Sequence, residues 1–373
     1  MSAAHTFART EEQLLLAENL ARLLSEEHGF ETMRRQQQDS NRHLAWPALV
    51  ELGVVGAAFD ENHGGFAGDA RTIAVVMAEL GRALMSEPFM EAAVVAGRVL
   101  EHWADDSARK TALEALMGGG LIVLLAHSPA PNTEARASVK AVQSHAGTLL
   151  TGNITCVRHA QLAGSFLIPA RGDDGSTRIY QVQRECPGLV METYRMIDGA
   201  IAADIQLRDA AIPATARMRF DTDAQAVIDD AIEWGILASV AETASILQAL
   251  NQATFSHLMT RKQFGVPLGS FQALQHRAAD MYIAAEETLA VVDEAIESFS
   301  SGPVRARSAL VSAAKVVADN AARSVSDGAV QLHGGMGVSD ELIVSHYARR
   351  LIALRCGFGG ADAHRLRFGD LVQ

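Results

Sequence analysis

A chain of 373 residues, 49% hydrophobic and only 5% aromatic, can bury two or three proper cores and is far too apolar to be disordered. Its net charge of −12 excludes nucleic acid as a general partner, because neutralising phosphates needs a basic surface; local basic patches can still hold a pyrophosphate. No apolar run approaches the roughly 18 residues of a membrane span, and Met1 to Glu12 carries neither a signal-peptide core nor an Arg-rich transit pattern. Cys156, Cys186 and Cys356 are far apart, odd in number and without metal-ligand spacing, so buried thiols in a reducing compartment are expected rather than a disulfide or a metal site. These features predict a cytoplasmic protein.

Residues 1–119 read as a helical domain. Leu14, Leu15, Leu20, Leu23 and Leu24 recur at helical spacing within Glu11 to Glu27, and Trp46, Leu49, Val50 and Leu52 repeat the pattern before Gly53-Val54-Val55-Gly56 ends it. Asp60 to Gly68, with Gly64-Gly65 at its centre, reads as a plain turn before an apolar helix from Arg71 to Leu84 that holds Glu79-Leu80-Gly81-Arg82. Gly118-Gly119-Gly120 marks a boundary. From there, residues 120–223 turn strand-like: Leu121 to Leu125, Thr148 to Leu150, Asn153 to Val157, Ser165 to Ile168, Arg178 to Val182 and Ile201 to Leu207, each bounded by turn formers.

Residues 224–373 are helical again. Ile228 to Met259 is too long for a helix of a small domain but natural in a bundle of long antiparallel helices. Further helices are expected over Gln272 to Phe299, Val304 to Gln331 and from Asp340 onwards, with Ser300 to Pro303 as a turn and Asp340-Glu341 as a helix start. Two motifs interrupt this pattern. Arg261-Lys262-Gln263-Phe264-Gly265-Val266-Pro267-Leu268-Gly269-Ser270-Phe271-Gln272 combines a cation, an aromatic and a Gly-x-Pro break, a turn able to hold an anion and a flat ring. Gln331-Leu332-His333-Gly334-Gly335-Met336-Gly337 sets an amide before glycines whose bare backbone lets a ligand approach.

In this order and spacing the two motifs resemble the C-terminal domain of the acyl-CoA dehydrogenase family, flavoproteins that oxidise the α,β carbon–carbon bond of acyl-CoA thioesters. Trp-x-x-Leu-x-x-Leu-Gly at Trp46, the Gly-Gly turn and Glu79-Leu80-Gly81-Arg82 resemble its N-terminal domain. The resemblance implies an α+β multidomain fold: an N-terminal helical domain, a middle β barrel and a C-terminal four-helix bundle that makes oligomer contacts. It also implies FAD as cofactor, an acyl-CoA substrate and an electron-transfer partner. Carried over residue by residue, the motifs assign Arg261, Phe264, Leu268 and Gln272 to the flavin pyrophosphate, and Gln331, Gly334 and Gly335 to its adenine end, on a flavin bound mainly by the neighbouring subunit. Arg261 is the surest of these, since a charge-assisted contact to pyrophosphate suits an Arg at a turn.

The sequence departs from the family where the flavin ring and the substrate's proton are handled. Active members carry a Thr-Glu-Pro-x-x-Gly-Ser-Asp loop; here His127 to Ser138 has no glycine and no Gly-Ser-Asp, and the following Gly-x-Lys is Gly152-Asn153-Ile154. Removal of an α proton needs a carboxylate in a dry site. The family's usual position for it holds Phe358, within Cys356-Gly357-Phe358-Gly359-Gly360, and the position some members use instead holds Gly235. No catalytic base is therefore assigned. Glu233, Glu242 and Asp362 are the possible substitutes, each with a structural reading favoured: opposite helix face, buried pairing, and helix-start acid. His333 and His364 read as structural or ligand-contacting imidazoles. Three readings follow: the base-lacking subunit of a heteromeric acyl-CoA dehydrogenase paired with a second, similar subunit; a self-sufficient homo-oligomeric FAD enzyme with a displaced base; or a cofactor-free scaffold.

Overall fold

The computed structural model describes residues 6–38, 45–128, 138–144, 147–300 and 302–373. The chain packs into two compact units, one of Met1–Arg35, Ala74–Met85 and Ile236–Gln373, the other of Gln36–Ile73 and Ser86–Gly235. Along the chain the order is helices, sheet, helices, as the sequence implies.

The second unit holds the sheet, the helix at Trp46–Glu51 and the helices between Ser86 and the sheet, whereas the helix at Glu11–Glu27 and most of those at Phe30–Gln38 and Ala70–Arg82 belong to the first. After helix α3 (Trp46–Glu51), where α1 is Glu11–Glu27 and α2 is Phe30–Gln38, the left-handed Gly53 starts a 3-10 turn. Gly64-Gly65 is a structural turn, as read from the sequence: a Cβ at Gly65 would lie 2.1 Å from the Phe59 carbonyl oxygen. Asp60 and Glu101 hold the adjacent His63 at 2.9 and 3.3 Å, and Arg98 pairs with Glu101 while its guanidinium lies 3.8 Å from the Trp234 ring centroid. Helix α4 (Ala70–Arg82) leads to a π-helical stretch over Phe89–Ala96, continued by α5 (Gly97–Glu101), and α6 spans Asp106–Met117.

The sheet has seven strands: β1 (Val123–Leu125), β2 (Val139–Ser144), β3 (Gly147–Arg158), β4 (Ser165–Gly172), β5 (Thr177–Gln183), β6 (Leu189–Arg195) and β7 (Ile201–Ile212). Its order is β1-β4-β2-β3-β7-β6, with β5 paired to β4. Two register shifts in the β3–β7 pairing, between Leu150 and Gly152 and between Ile154 and Val157, bend the long strand and curl the sheet. The runs at Thr148 and Asn153 are thus one strand. β2 and β6 were not legible: both are largely exposed, and the apolar start of β6, Leu189-Val190-Met191, gives way at once to Glu192-Thr193-Tyr194-Arg195. Residues 129–137, where most of the departure from the family's flavin-facing loop falls, lie outside the described residues.

The first unit is a bundle. Helix α7 runs over Ala224–Thr260, 37 residues and nearly all buried from Val227 to Leu250, so it is covered on every face. It is followed by α8 (Gln272–Ser298), α9 (Val304–His333), α10 (Ile343–Cys356) and α11 (Ala361–Val372). The core joins Leu247 and Leu250 of α7, Ala285 of α8, Ala322, Val325 and Ala329 of α9, and Leu351 of α10. Small residues along α9 let its neighbours approach closely; a Cβ at Gly328 would sit 2.8 Å from the sulfur of Met281. Asn251 Nδ2 donates to the Met281 carbonyl at 3.0 Å, tying α7 to α8. The helix expected from Asp340 starts at Ile343 and breaks at Gly357, where Phe358 and Gly359 take left-handed backbone angles.

Candidate functional site

The two motifs of the C-terminal segment fold into one place. Helix α7 ends as the Arg261 amide bonds to the His257 carbonyl, and the Leu268 amide returns to the Arg261 carbonyl at 2.8 Å. Between them β8 (Lys262–Gln263) and β9 (Val266–Pro267) form a minimal hairpin. Its two tip residues, Phe264 (φ 52) and Gly265 (φ 86), are both left-handed, the geometry that matches hairpin twist. Gly265 adopts it freely, whereas an aromatic there costs about 1–2 kcal/mol. Helix α9 ends at His333, capped by Gly334 with φ 61. The end of α7, the start of α8 and the end of α9 thereby enclose a groove of about 1150 Å³.

Arg261, Leu268, Gln331 and Gly334 line this groove, as do Arg277, His257 and His333. Phe264, Gln272 and Gly335 are not in its lining: Phe264 stands 92% exposed at the hairpin tip, its ring edge-on to Phe271 at 6.3 Å, and Gln272 is the exposed first residue of α8. Neither Arg261 nor Arg277 forms an ion pair among the described residues, although the chain carries a net charge of −12. A Cβ added at Gly334 or Gly335 would meet no atom of the chain. Two unpaired guanidiniums, an amide side chain and bare backbone on open space are what a pyrophosphate and a purine require.

His257 and His333 stack with ring centroids 4.3 Å apart at 27°. The His333 Nδ1 lies 2.9 Å from the Ala329 carbonyl, which accepts its proton. Burial, then the neighbouring His333 and Arg261, hold His257 below the ordinary histidine value; burial does the same at His346. In the window below the unfolded value of roughly 6.5, the unfolded chain therefore binds more protons than the native one. Stability rises with pH there and is lost as pH falls through it. The urea midpoint is expected to drop between pH 7 and 5.5, with a shallower drop in His257→Phe; an identical slope in the variant would show that His257 does not contribute. His257 and Arg277 were not assigned from sequence, where each is one more polar residue on a helix, although His257 precedes Arg261 by one helical turn.

The positions for a base hold none. Phe358 is buried at 9% exposure, and its carbonyl accepts a hydrogen bond from His364 Nε2 at 3.1 Å. Gly235 is buried inside α7. Glu242 is locked by Arg350, whose Nε and Nη2 donate to its two carboxylate oxygens at 2.6 and 2.8 Å, so it is a structural anchor. Asp362, in the first turn of α11, is 94% exposed beside Arg365. Glu233 is buried and partnered. Among the described residues no group of three or more His, Cys, Asp or Glu could hold a metal, all three cysteines are free thiols, and no helix is long and apolar enough to cross a membrane.

The acyl-CoA dehydrogenase N-terminal domain matches residues 10–120 and the acyl-CoA dehydrogenase C-terminal domain matches residues 224–370. Among curated proteins, "Acyl-CoA dehydrogenase FadE27" of Mycobacterium tuberculosis is 26% identical over 342 residues, 89% of this chain and 88% of that protein. Among solved structures, a chain of the ChsE4–ChsE5 complex of Mycobacterium tuberculosis superimposes with a TM-score of 0.89 at 24% identity, covering 98% of both chains. A chain of the Tcur3481–Tcur3483 steroid ACAD, a G363A variant, gives 0.86 at 25% identity over 97% of this chain and 98% of that one. With both terminal domains matched and the fold shared end to end, the chain belongs to the acyl-CoA dehydrogenase family, FAD-dependent oxidoreductases that act on the CH–CH bond of acyl-CoA thioesters.

Proposed function

We propose that this chain is the base-lacking subunit of a heteromeric acyl-CoA dehydrogenase, lending its C-terminal groove to a flavin held mainly by a second, similar subunit. The observation that carries this reading is the contrast within one unit: an open groove with unpaired Arg261 and Arg277, and a buried Phe358 where the family places its proton acceptor. Arg261 would bind the pyrophosphate, with Arg277 as a second cation. Gln331 and the bare Gly334 backbone would orient the adenine end, beside the stacked histidines. FAD bound there would supply the two-electron acceptor for α,β-dehydrogenation of an acyl-CoA. The proton acceptor would come from the partner, as no carboxylate of this chain stands at either position the family uses. Similarity to a chain of the two-component ChsE4–ChsE5 complex supports a heteromer, and the steroid ACAD supports a bulky acyl group. The exposed Phe264 at the tip of a strained hairpin is an apolar anchor for a neighbouring subunit.

The test is purification with and without a partner. Produced alone, the chain is expected to be colourless. Co-produced with an acyl-CoA dehydrogenase-like subunit that carries Glu at the base position, it is expected to yield a yellow, active complex. A yellow and active protein obtained from this chain alone would favour the self-sufficient homo-oligomer. A colourless protein that gains nothing from such a partner would favour the scaffold.

A further inference from the structure

Arg261, Arg277, His257 and His333 line the groove together, and no carboxylate lines it. These basic groups come from each helix that meets there. Arg261 follows the last turn of α7 with His257 one turn before it, Arg277 lies on α8, and His333 ends α9. The hairpin and the segment after α9 add only neutral residues to the lining. The two imidazoles are half-buried and stacked, with centroids 4.3 Å apart, and the Ala329 carbonyl holds the His333 ring by its Nδ1 proton. Rings fixed at that separation repel strongly if both become imidazolium, so near neutral pH the pair gains a proton as one unit and takes up one at most.

In the chain by itself that proton is opposed. Burial, then His333 and Arg261, hold His257 below the ordinary histidine value, and no acid of the lining offsets them. A diphosphate held by the two arginines reverses the field, because it brings two negative charges beside the pair and opposite charge favours the imidazolium. The pair therefore titrates at a higher pH with the ligand than without it. Above both values it is neutral in either state and adds nothing to binding; between them affinity rises as pH falls; below both the gain is complete. Its ceiling is about tenfold for each unit by which binding moves the pair. Guanidinium and amide groups do not titrate near neutral pH, so a dependence of this kind distinguishes the histidines from Arg261 and Gln331.

We propose, resting on the flavin reading of the groove, that His257 and His333 are a further binding element for the cofactor's diphosphate: the stacked pair takes up one shared proton from solvent as the ligand binds, so the groove holds flavin more tightly in mild acid than in mild base. The test is calorimetric titration of the flavin-free complex of this chain and its partner subunit with FAD, whose diphosphate is esterified at both ends and does not itself titrate between pH 6 and pH 8. Paired titrations at pH 7 in two buffers of different ionisation enthalpy count the protons taken up without any substitution. Uptake of about half to one proton per flavin is expected, with affinity about three- to tenfold higher at pH 6 than at pH 8. Combining His257→Gln with His333→Gln should remove most of the uptake and flatten the pH dependence. Binding that Arg261→Ala weakens but that takes up no proton, or a pH dependence that survives unchanged in the double glutamine variant, overturns the proposal and leaves the flavin reading standing. Affinity indifferent to Arg261→Ala, or no saturable binding of FAD, overturns both.

Discussion

Asp319→Ala is expected to destabilise the chain by about 3–5 kcal/mol, the cost of leaving a buried charge without its partner. Lys315 is 1% exposed and Asp319 4%. The ammonium donates to the Asp319 carboxylate at 2.7 Å and to the Leu354 carbonyl at 2.9 Å. Burial dominates at both groups, pushing Lys315 below the ordinary lysine value and Asp319 above the ordinary carboxylate one. Desolvation thus takes back much of what the pair's attraction gives, and removing both charges together should cost far less than removing one. Lys315→Met with Asp319→Leu is expected to be near neutral or stabilising by about 1–4 kcal/mol. Urea unfolding followed by helical signal measures both; a shift in midpoint at constant slope reports stability. Asp319→Ala within about 1 kcal/mol of the unmodified chain would contradict this account. The pair matters to the site as well, because Leu354 lies in the last turn of α10, just before the left-handed turn that presents Phe358.

Arg261→Ala is expected to weaken retention of FAD by the assembled complex about ten- to a hundredfold, the loss of one charged contact of roughly 1.5–3 kcal/mol. The subunit's own fold should be unchanged. Arg261 is exposed beyond the last turn of α7 and makes no ion pair within the described chain, so nothing in the bundle depends on its side chain. Gln331→Ala should have the smaller effect, since a neutral hydrogen bond contributes about 1 kcal/mol. The ranking follows from charge alone and can be read by equilibrium dialysis. If the Arg261→Ala complex held FAD as tightly as the unmodified one, the motif would be an architectural remnant and the scaffold reading would move ahead.

The bundle was legible because burial on every face leaves its mark on composition: the apolar run of α7 and the alanines of α9 can hardly be placed elsewhere than in a packed helical core. The break at Gly357 was marked by its glycines, but the left-handed Phe358 beside it was not, because no residue type signals an aromatic held in that conformation. β2 and β6 escaped for the converse reason: strands whose residues are mostly exposed carry only a short apolar stretch. In the site, Arg261 and Gln331, assigned through the family resemblance, both line the groove, yet Phe264 and Gln272 do not. A two-residue hairpin turn decides which way the intervening aromatic points, and that geometry is set by backbone angles that a motif does not encode. Arg277 and His257 reach the groove only because three helix ends converge, a tertiary fact with no local signature. Glu242 could be weighed from sequence as a buried pairing partner; that its partner is Arg350 required the fold.

The most direct test of the central claim is anaerobic mixing of the purified chain, supplemented with FAD, with a panel of straight-chain, branched and steroid-side-chain acyl-CoA thioesters, while following the long-wavelength flavin absorbance. A positioned base contributes roughly 10²–10⁴-fold to proton abstraction, and with Phe358 and Gly235 at the two base positions no bleaching above the rate of free FAD is predicted. Rapid bleaching by the chain alone, abolished by Glu233→Gln or Glu242→Gln, would contradict the account and identify a displaced base within this subunit.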